Sequence, residues 1–397
     1  MTRLFLIAGE PSGDKLGGAL MAGLRTLAPE IALDGIGGPE MEARGLRSLF
    51  PMSDLSVMGL AEVLPRLPQL LRRRDEAVAE IARLRPDALI TIDSPDFCLR
   101  VAARARRARP DLPVIHYVAP SVWAWRPERA TKMARDVDHV LALLPFEPRY
   151  MRAAGMTCDF VGHPVVAERL ASPSEAGAFR ERHGIEGAIA LVLPGSRRGE
   201  VERLAPVFGD ALQQLPPRTR VVVPAVPHLA DLVRQATATW PGAPVIVTRA
   251  DEKRAAFRAA TAALAASGTV SLELAANGVP MVIAYDMNWL SRRILSRMLK
   301  VDTVTLVNLV SRTRAVPEFL GEACRPGPIG RALADLIRVP SQRARQAEAL
   351  ERTMTLLGRE GAPPGVRAAR SVLGRLGWED LPPPDPEPES EPEPGPE

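Results

Sequence analysis

Aromatic residues are scarce, with Phe, Trp and Tyr making up 4% of the chain, and there are only three cysteines. Cys98, Cys158 and Cys324 are widely spaced, which fits neither a disulfide framework nor a zinc site. No apolar run approaches the ~20 residues that span a bilayer. The opening stretch MTRLFLIAGEPSGD is not a secretory signal, because its apolar run is short and leads straight into a Gly-rich turn. Two phosphate-binding signatures are also missing. Gly9 and Gly13 are too close for a Walker loop, and no Ser or Thr follows Lys15. The G-x-G-x-x-G spacing of dinucleotide folds is absent as well. No internal repeat is visible. These absences predict a cytoplasmic globular protein.

What is present is a basic body with an acidic end. The net charge of +4 hides eight acidic residues between Glu379 and Glu397; the rest of the chain sets 51 basic residues against 39 acidic ones, a net +12. A basic body suits polyanionic partners: phosphorylated substrates, an anionic membrane surface or nucleic acid. The last is disfavoured, since no nucleic-acid module appears and aromatics are few. The tail LPPPDPEPESEPEPGPE is too rich in proline and glutamate to bury a core and is predicted to be disordered.

A chain of 397 residues suits two domains rather than one. Apolar strand-length runs at 4–9, 31–38, 87–94, 114–120, 139–145 and 159–164 alternate with helical stretches, notably 97–109 and 128–136. A second series follows at 188–193, 220–225, 244–248, 262–267 and 280–286. Such alternation predicts an α/β fold with doubly covered parallel sheets, organised as two Rossmann-like domains. The predicted boundaries are 1–165, 166–350, C-terminal helices at 351–378 and the tail at 379–397.

The chain is organised around AIALVLPGSRRGEVERL, residues 188–204. It reads as strand, tight turn, helix: Gly195 permits the turn, Ser196 can cap the helix, and Arg197 and Arg198 sit at its positive end. Free backbone N–H groups and guanidinium forks at one place suit a diphosphate. ASGTVSLEL repeats this chemistry. A strand ends at Ser267, Gly268 turns, Thr269 or Ser271 opens a helix, and Glu273 lies one turn in, where a carboxylate can accept both ribose hydroxyls. In the first half, the turn GEPSGD carries Glu10, Ser12 and Asp14 at the carboxyl end of a strand. TIDSPDF places Asp93 at a strand end as candidate general base, with Asp96 readable as a helix N-cap. His116 is either a core histidine or a catalytic one, and His163 is a candidate site residue near the domain junction. Trp123, Trp125 and Arg126 fit sugar or acyl contacts, or loop anchoring. Asp136-Val-Asp138 spells a D-x-D but reads better as a helix running into a strand.

In LAEVLPRLPQLLRRR, the residues Val63, Leu64, Leu67, Leu70 and Leu71 share one helical face beside Arg66, Arg72, Arg73 and Arg74. Burial against a domain and docking on a membrane surface are both open, with Pro65 and Pro68 arguing against a regular core helix.

Taken together these motifs resemble the lipid-A-disaccharide synthases, inverting glycosyltransferases of the GT-B architecture, two domains facing a central cleft. The likeness runs from AGEPSGDKLGG through DLSVMGLAEVL, IDSPDF, HYVAPSVWAWRPERA, LLPFEP, VGHPV, LPGSRRGEVE and ASGTVSLELA to PMVIAYDMN and VNLV…PEFLGEAC. It leaves out only the acidic tail. It implies transfer of 2,3-diacylglucosamine from UDP-2,3-diacylglucosamine to the 6-hydroxyl of 2,3-diacylglucosamine 1-phosphate (lipid X), with no metal or other cofactor and UDP as leaving group. Asp93 would be the general base and Arg197 would neutralise the departing diphosphate. Gly195, Ser196, Ser267, Gly268, Thr269, Glu273 and Asn308 would hold the nucleotide, and Tyr285 would border its base. Lipid X stays in the membrane, so the resemblance also implies docking on the anionic cytoplasmic face of the inner membrane. The oligomeric state is open, a homodimer included. Other readings are a UDP-GlcNAc 2-epimerase, a transferase acting on a polyprenyl carrier, and a non-catalytic nucleotide-sugar or lipid-binding protein.

Overall fold

The first strand shows how the chain builds its core. In β1 (Arg3–Ala8), Leu4, Leu6 and Ala8 pack on one face, against α1 (Pro11–Leu27) and the C-terminal α15 (Pro364–Arg375). Phe5 and Ile7 pack on the other, with α3 (Leu60–Leu84) and α4 (Pro95–Ala108). A strand covered on both sides must be apolar throughout, which is why period-2 alternation is absent from it. The computed structural model describes residues 1–55, 60–124, 126–286, 302–379 and 381–382. Trp125, the side chains of Val63 and Leu64, and the tail from residue 383 onward lie outside the described residues.

The chain divides into two compact units, Met1–Ala167 with Leu357–Glu397, and Glu168–Leu356. The first continues with β2 (Ala32–Ile36), α2 (Pro39–Glu42), β3 (Ala88–Ile92), β4 (Val114–Tyr117), α5 (Glu128–Met133), β5 (His139–Ala142), α6 (Glu147–Ala153) and β6 (Thr157–Phe160). Its six strands are all parallel, in the order β2-β1-β3-β4-β5-β6.

The second unit runs α7 (Pro173–Arg182), β7 (Ile189–Leu193), α8 (Arg198–Leu212), β8 (Arg220–Pro224), α9 (Ala230–Ala236), β9 (Val245–Val247), α10 (Ala250–Ala259), β10 (Ala262–Ala265), α11 (Val270–Ala276) and β11 (Met281–Tyr285). After these come α12 (Leu306–Ser311), β12 (Glu318–Leu320), α13 (Pro326–Arg338) and α14 (Pro340–Leu356). Its sheet is also parallel, in the order β12-β11-β10-β7-β8-β9. All eleven predicted strands form. β12 was not predicted; three half-buried residues at a sheet edge carry no periodic signal.

The predicted block of C-terminal helices is split between the units. α14 ends in the second, whereas α15 belongs to the first. Small residues let α15 lie close on α1. A Cβ at Gly365 would stand 2.4 Å from the Ala19 carbonyl oxygen, and one at Gly23 would stand 2.4 Å from that of Gly365.

Candidate functional site

In each sheet the strand order reverses once, and the crevice at the carboxyl ends of the strands there is where open α/β sheets bind ligands. In the first sheet the reversal lies between β1 and β3, so the residues that follow them, Gly9–Ser12 and Asp93–Ser94, share one crevice. The Ser12 hydroxyl donates to Asp93 Oδ2 at 2.9 Å. Asp93 and Ser94 both have left-handed backbone, with φ of 53° and 43°, a conformation that costs about 1–2 kcal/mol for an L-residue. The Asp93 N–H donates to the Tyr117 carbonyl at 2.9 Å, and the Ser94 carbonyl accepts from Cys98 N–H at 3.0 Å. Consecutive strained residues held this way are a signature of functional sites.

The GEPSGD motif has a structural explanation here. α1 begins at Pro11, whose fixed φ suits the first helical position, so Ser12 and Asp14 are helical rather than in a loop. A Cβ at Gly13 would stand 3.1 Å from the Ile92 carbonyl oxygen, and one at Gly9 would stand 2.8 Å from Ser94 Oγ. The glycines let the helix start approach the strand end closely enough for Ser12 to reach Asp93. Asp14 is a correction: it is buried, and its carboxylate accepts N–H bonds from Gly38, Glu40 and Met41 at 2.8, 2.9 and 3.1 Å. It caps α2 from inside the fold, 3% exposed, rather than lining an open cleft. Glu10 is half-buried at the N-cap of α1. Asp96 is not the N-cap of α4 either; Ser94 holds that position and Pro95 comes first.

His116 is buried beside Thr91, with Nδ1 2.8 Å from the Thr91 hydroxyl. Burial pushes its pKa down to about 4, against the pull of the Asp93 carboxylate, so the ring is neutral near pH 7. It joins Asp93 and Asp96 in lining a pocket of about 500 Å³. His163 does something else: its Nδ1 accepts the Val165 N–H at 3.2 Å, and its own N–H donates to the Leu357 carbonyl at 3.1 Å, which ties down the 163–165 turn. Trp123 packs edge-on against Phe146 at 5.3 Å. Glu147, next in sequence, accepts the Leu143 and Leu144 N–H groups at 3.0 and 2.9 Å, and burial pushes its carboxyl up to about 7. Arg126 is exposed, with φ of 50°. Of the D-x-D pair, Asp138 accepts from the Val114 N–H at 2.9 Å and pairs with Arg106, a structural role.

In the second sheet the reversal lies between β7 and β10. The two turns singled out from the sequence follow these strands, and the Ala266 N–H donates to the Leu193 carbonyl at 2.9 Å, so they are neighbours. The helix after the first turn is capped by Arg197, not Ser196, and Glu200 is its third residue. Glu200 Oε2 accepts the N–H groups of Ser196 and Arg197 at 3.0 and 3.3 Å, and Oε1 takes Arg197 Nη1 at 3.2 Å. The N–H groups expected to be free thus already donate to a carboxylate of the chain itself, in a capping box. Gly195, at φ 124°, makes room: a Cβ there would stand 2.5 Å from that of Glu200. Tyr285, at the end of β11, meets the same group. Burial first, then the Glu200 carboxylate, raises its phenol above the usual value.

In the second turn Ser267 is half-buried, and Gly268 (φ 150°) and Thr269 are exposed. The hydroxyl that closes the turn is that of Ser271, donating to the Gly268 carbonyl at 2.9 Å. Glu273 is paired with Lys253 at 2.6 Å. Asn308 is a second correction. Its side-chain amide donates to the Val316 carbonyl at 2.9 Å and accepts the Val316 N–H at 3.0 Å, inside the fold. It pins a loop rather than facing a nucleotide.

The basic, leucine-rich segment is one helix through both prolines. Its predicted apolar face is divided: Leu70 packs on the core, while Leu67 and Leu71 are 40% and 36% exposed. Arg72 is exposed. Arg73 is not available to a membrane, since it clamps Asp54 and Glu76 at 2.7 Å each and lies over the Phe50 ring.

Glu200, Lys253 and Thr91 were not singled out from the sequence. Only Glu200 had a signal there: a glutamate at the third helical position marks a capping box.

Residues 4–365 match the family model described as lipid-A-disaccharide synthetase. A lipid-A-disaccharide synthase of Ruegeria pomeroyi is 60% identical, covering 95% of this chain and 96% of its own. One from Rhodospirillum centenum is 49% identical, covering 93% and 94%. Among solved structures, the UDP-GlcNAc 2-epimerase of Neisseria meningitidis matches with a TM-score of 0.63 at 12% identity, covering 95% and 99%. MurG of Acinetobacter baumannii matches with 0.54 at 14%, covering 95% and 99%. At such identities they share the GT-B fold and nothing finer. Relatives this similar along nearly the whole length settle the family: the chain belongs to the lipid-A-disaccharide synthases.

Proposed function

We infer that this protein is a glycosyltransferase that makes the lipid A disaccharide. It transfers 2,3-diacylglucosamine from its UDP derivative to the 6-hydroxyl of 2,3-diacylglucosamine 1-phosphate. The observation that carries this reading is the Ser12–Asp93 pair at the reversal point of the first sheet, in a chain whose family membership covers residues 4–365. Asp93 takes the proton of the 6-hydroxyl as that oxygen attacks the anomeric carbon from the face opposite UDP. The anomeric C–O bond to the diphosphate breaks, and its electron pair leaves with UDP. Inversion gives the β-1,6 linkage. Arg197 and the N–H groups of Ser196 and Arg197 take the diphosphate, displacing Glu200, so the charge that develops on the leaving group meets preset donors. Arg197 fills the part that a metal ion plays elsewhere. Glu273 serves the ribose, with Lys253 orienting its carboxylate.

The test is product analysis with both substrates in detergent micelles containing EDTA. Disaccharide and UDP in equal amounts are expected; consumption of UDP-sugar without acceptor would mean an epimerase, and UDP binding without turnover a sensor.

Both substrates carry long acyl chains and stay in a bilayer, so the enzyme works as a peripheral protein on the anionic inner-membrane surface. Among the described residues no helix is long and apolar enough to cross a membrane. The exposed Leu67 and Leu71, with Arg72 beside them, are the docking edge. Replacing both leucines with Ser is expected to weaken binding to anionic vesicles roughly tenfold, and unchanged binding would remove the idea.

A further inference from the structure

The pocket beside Asp93 holds three cations that the reaction as described leaves without a task. Its floor is Asp93 and His116, at the carboxyl ends of β3 and β4. One wall is α4, which contributes Asp96, Leu99, Arg100 and Ala103. These fall at helical spacing, so they share one face. Another wall is α5 and the residues after it, with Arg129, Lys132, Met133 and Asp136. The walls are therefore mixed: Leu99, Ala103 and Met133 are apolar, and Arg100, Arg129 and Lys132 are basic. At about 500 Å³ the pocket is the size of a small-molecule site.

We propose that Arg100, Arg129 and Lys132 form a subsite for the phosphomonoester of the acceptor sugar. This rests on the transferase reading above. The acceptor must present its 6-hydroxyl to Asp93 while its phosphate hangs from C1. C1 and C5, the carbon that bears C6, both flank the ring oxygen. The two groups therefore share one edge of the sugar, and the phosphate needs a cationic subsite in the same pocket as the base. Arg100 stands one helical turn after Asp96 on α4, on the face that lines the pocket with Asp93. One pocket lined by both the base and these cations lets a single sugar meet Asp93 with its 6-hydroxyl and the basic side chains with its phosphate. A phosphate there meets guanidinium forks from Arg100 and Arg129 and a point charge from Lys132. Asp96 and Asp136 line the same walls, so three cations stand against two carboxylates there besides Asp93. The apolar wall suits the acyl-bearing side of the same sugar. The subsite makes the enzyme select a phosphorylated acceptor, and it fixes which hydroxyl points at the base.

The experiment compares two acceptors in the same micelles, 2,3-diacylglucosamine 1-phosphate and the same lipid with a free anomeric hydroxyl. Wild type is expected to prefer the phosphorylated one. Arg100→Gln and Lys132→Gln, both at exposed positions, are each expected to lower the ratio of kcat/KM values roughly tenfold, and the double variant to abolish the preference. A ratio of two substrates on one protein is insensitive to partial misfolding. Equal use of both acceptors by wild type, or a preference that survives in the double variant, would overturn the subsite alone. Absence of disaccharide from wild type would overturn the transferase reading, and the subsite with it.

Discussion

Asp93→Asn is expected to lower kcat by 10²–10⁴-fold, the usual worth of a positioned general base, with KM for the UDP-sugar nearly unchanged. Asparagine is a cleaner probe than alanine. It tolerates the left-handed backbone at φ 53°, and its amide oxygen still accepts the Ser12 hydroxyl. The folded site is therefore kept and only basicity is removed. His116 does not offer a second base of ordinary strength. Held at about 4 by burial, it is uncharged over the working range, so the rate should show no inflection near pH 6.5. Single-turnover rates for Asp93→Asn across pH 5–9 check both statements. Activity within tenfold of wild type would remove Asp93 from its role, and a step near pH 6.5 would return His116 to it.

Arg197→Ala is expected to lower kcat/KM by 10²–10³-fold, as loss of one preset donor to a developing oxyanion does, and to weaken UDP binding measured by calorimetry. The side chain is 67% exposed, so the fold should survive; an unchanged melting temperature in the same sample would show it. Arg197→Lys should recover only part of the loss, because an ammonium cannot make the forked contact. Full activity in the alanine variant would mean that the Ser196 and Arg197 N–H groups carry the diphosphate alone.

Much of this was legible without coordinates because it depends on neighbours in sequence. Continuous runs such as RLFLIA and ALITI are apolar because both faces are covered, and glycine at 195 and 268 marks turns that need positive φ. The two turns after β7 and β10 and Asp93 could be found this way. Three of the errors share one cause. Asp14, Arg73 and Asn308 are polar residues in motif-rich or basic stretches, and each is consumed by a partner 8 to 27 residues away: Met41, Asp54 and Val316. No local pattern announces such a bond. Glu200 is different: its carboxylate folds back over Gly195 onto N–H groups three and four residues earlier, a local contact that its capping-box position does announce.

The sequence by itself determined the alternation of strands and helices, the Gly-containing turns after β7 and β10 and the carboxylate at the end of β3, since backbone conformation and side-chain chemistry are local properties. Tertiary structure alone decided which polar groups are spent on the fold. It also decided that α15 returns to α1, and that Asp93, His116 and three cations from two helices line one pocket. Those outcomes depend on strand order, which places residues far apart in the chain at one sheet edge, and on burial, which leaves a polar group either a partner inside the protein or a role with a ligand.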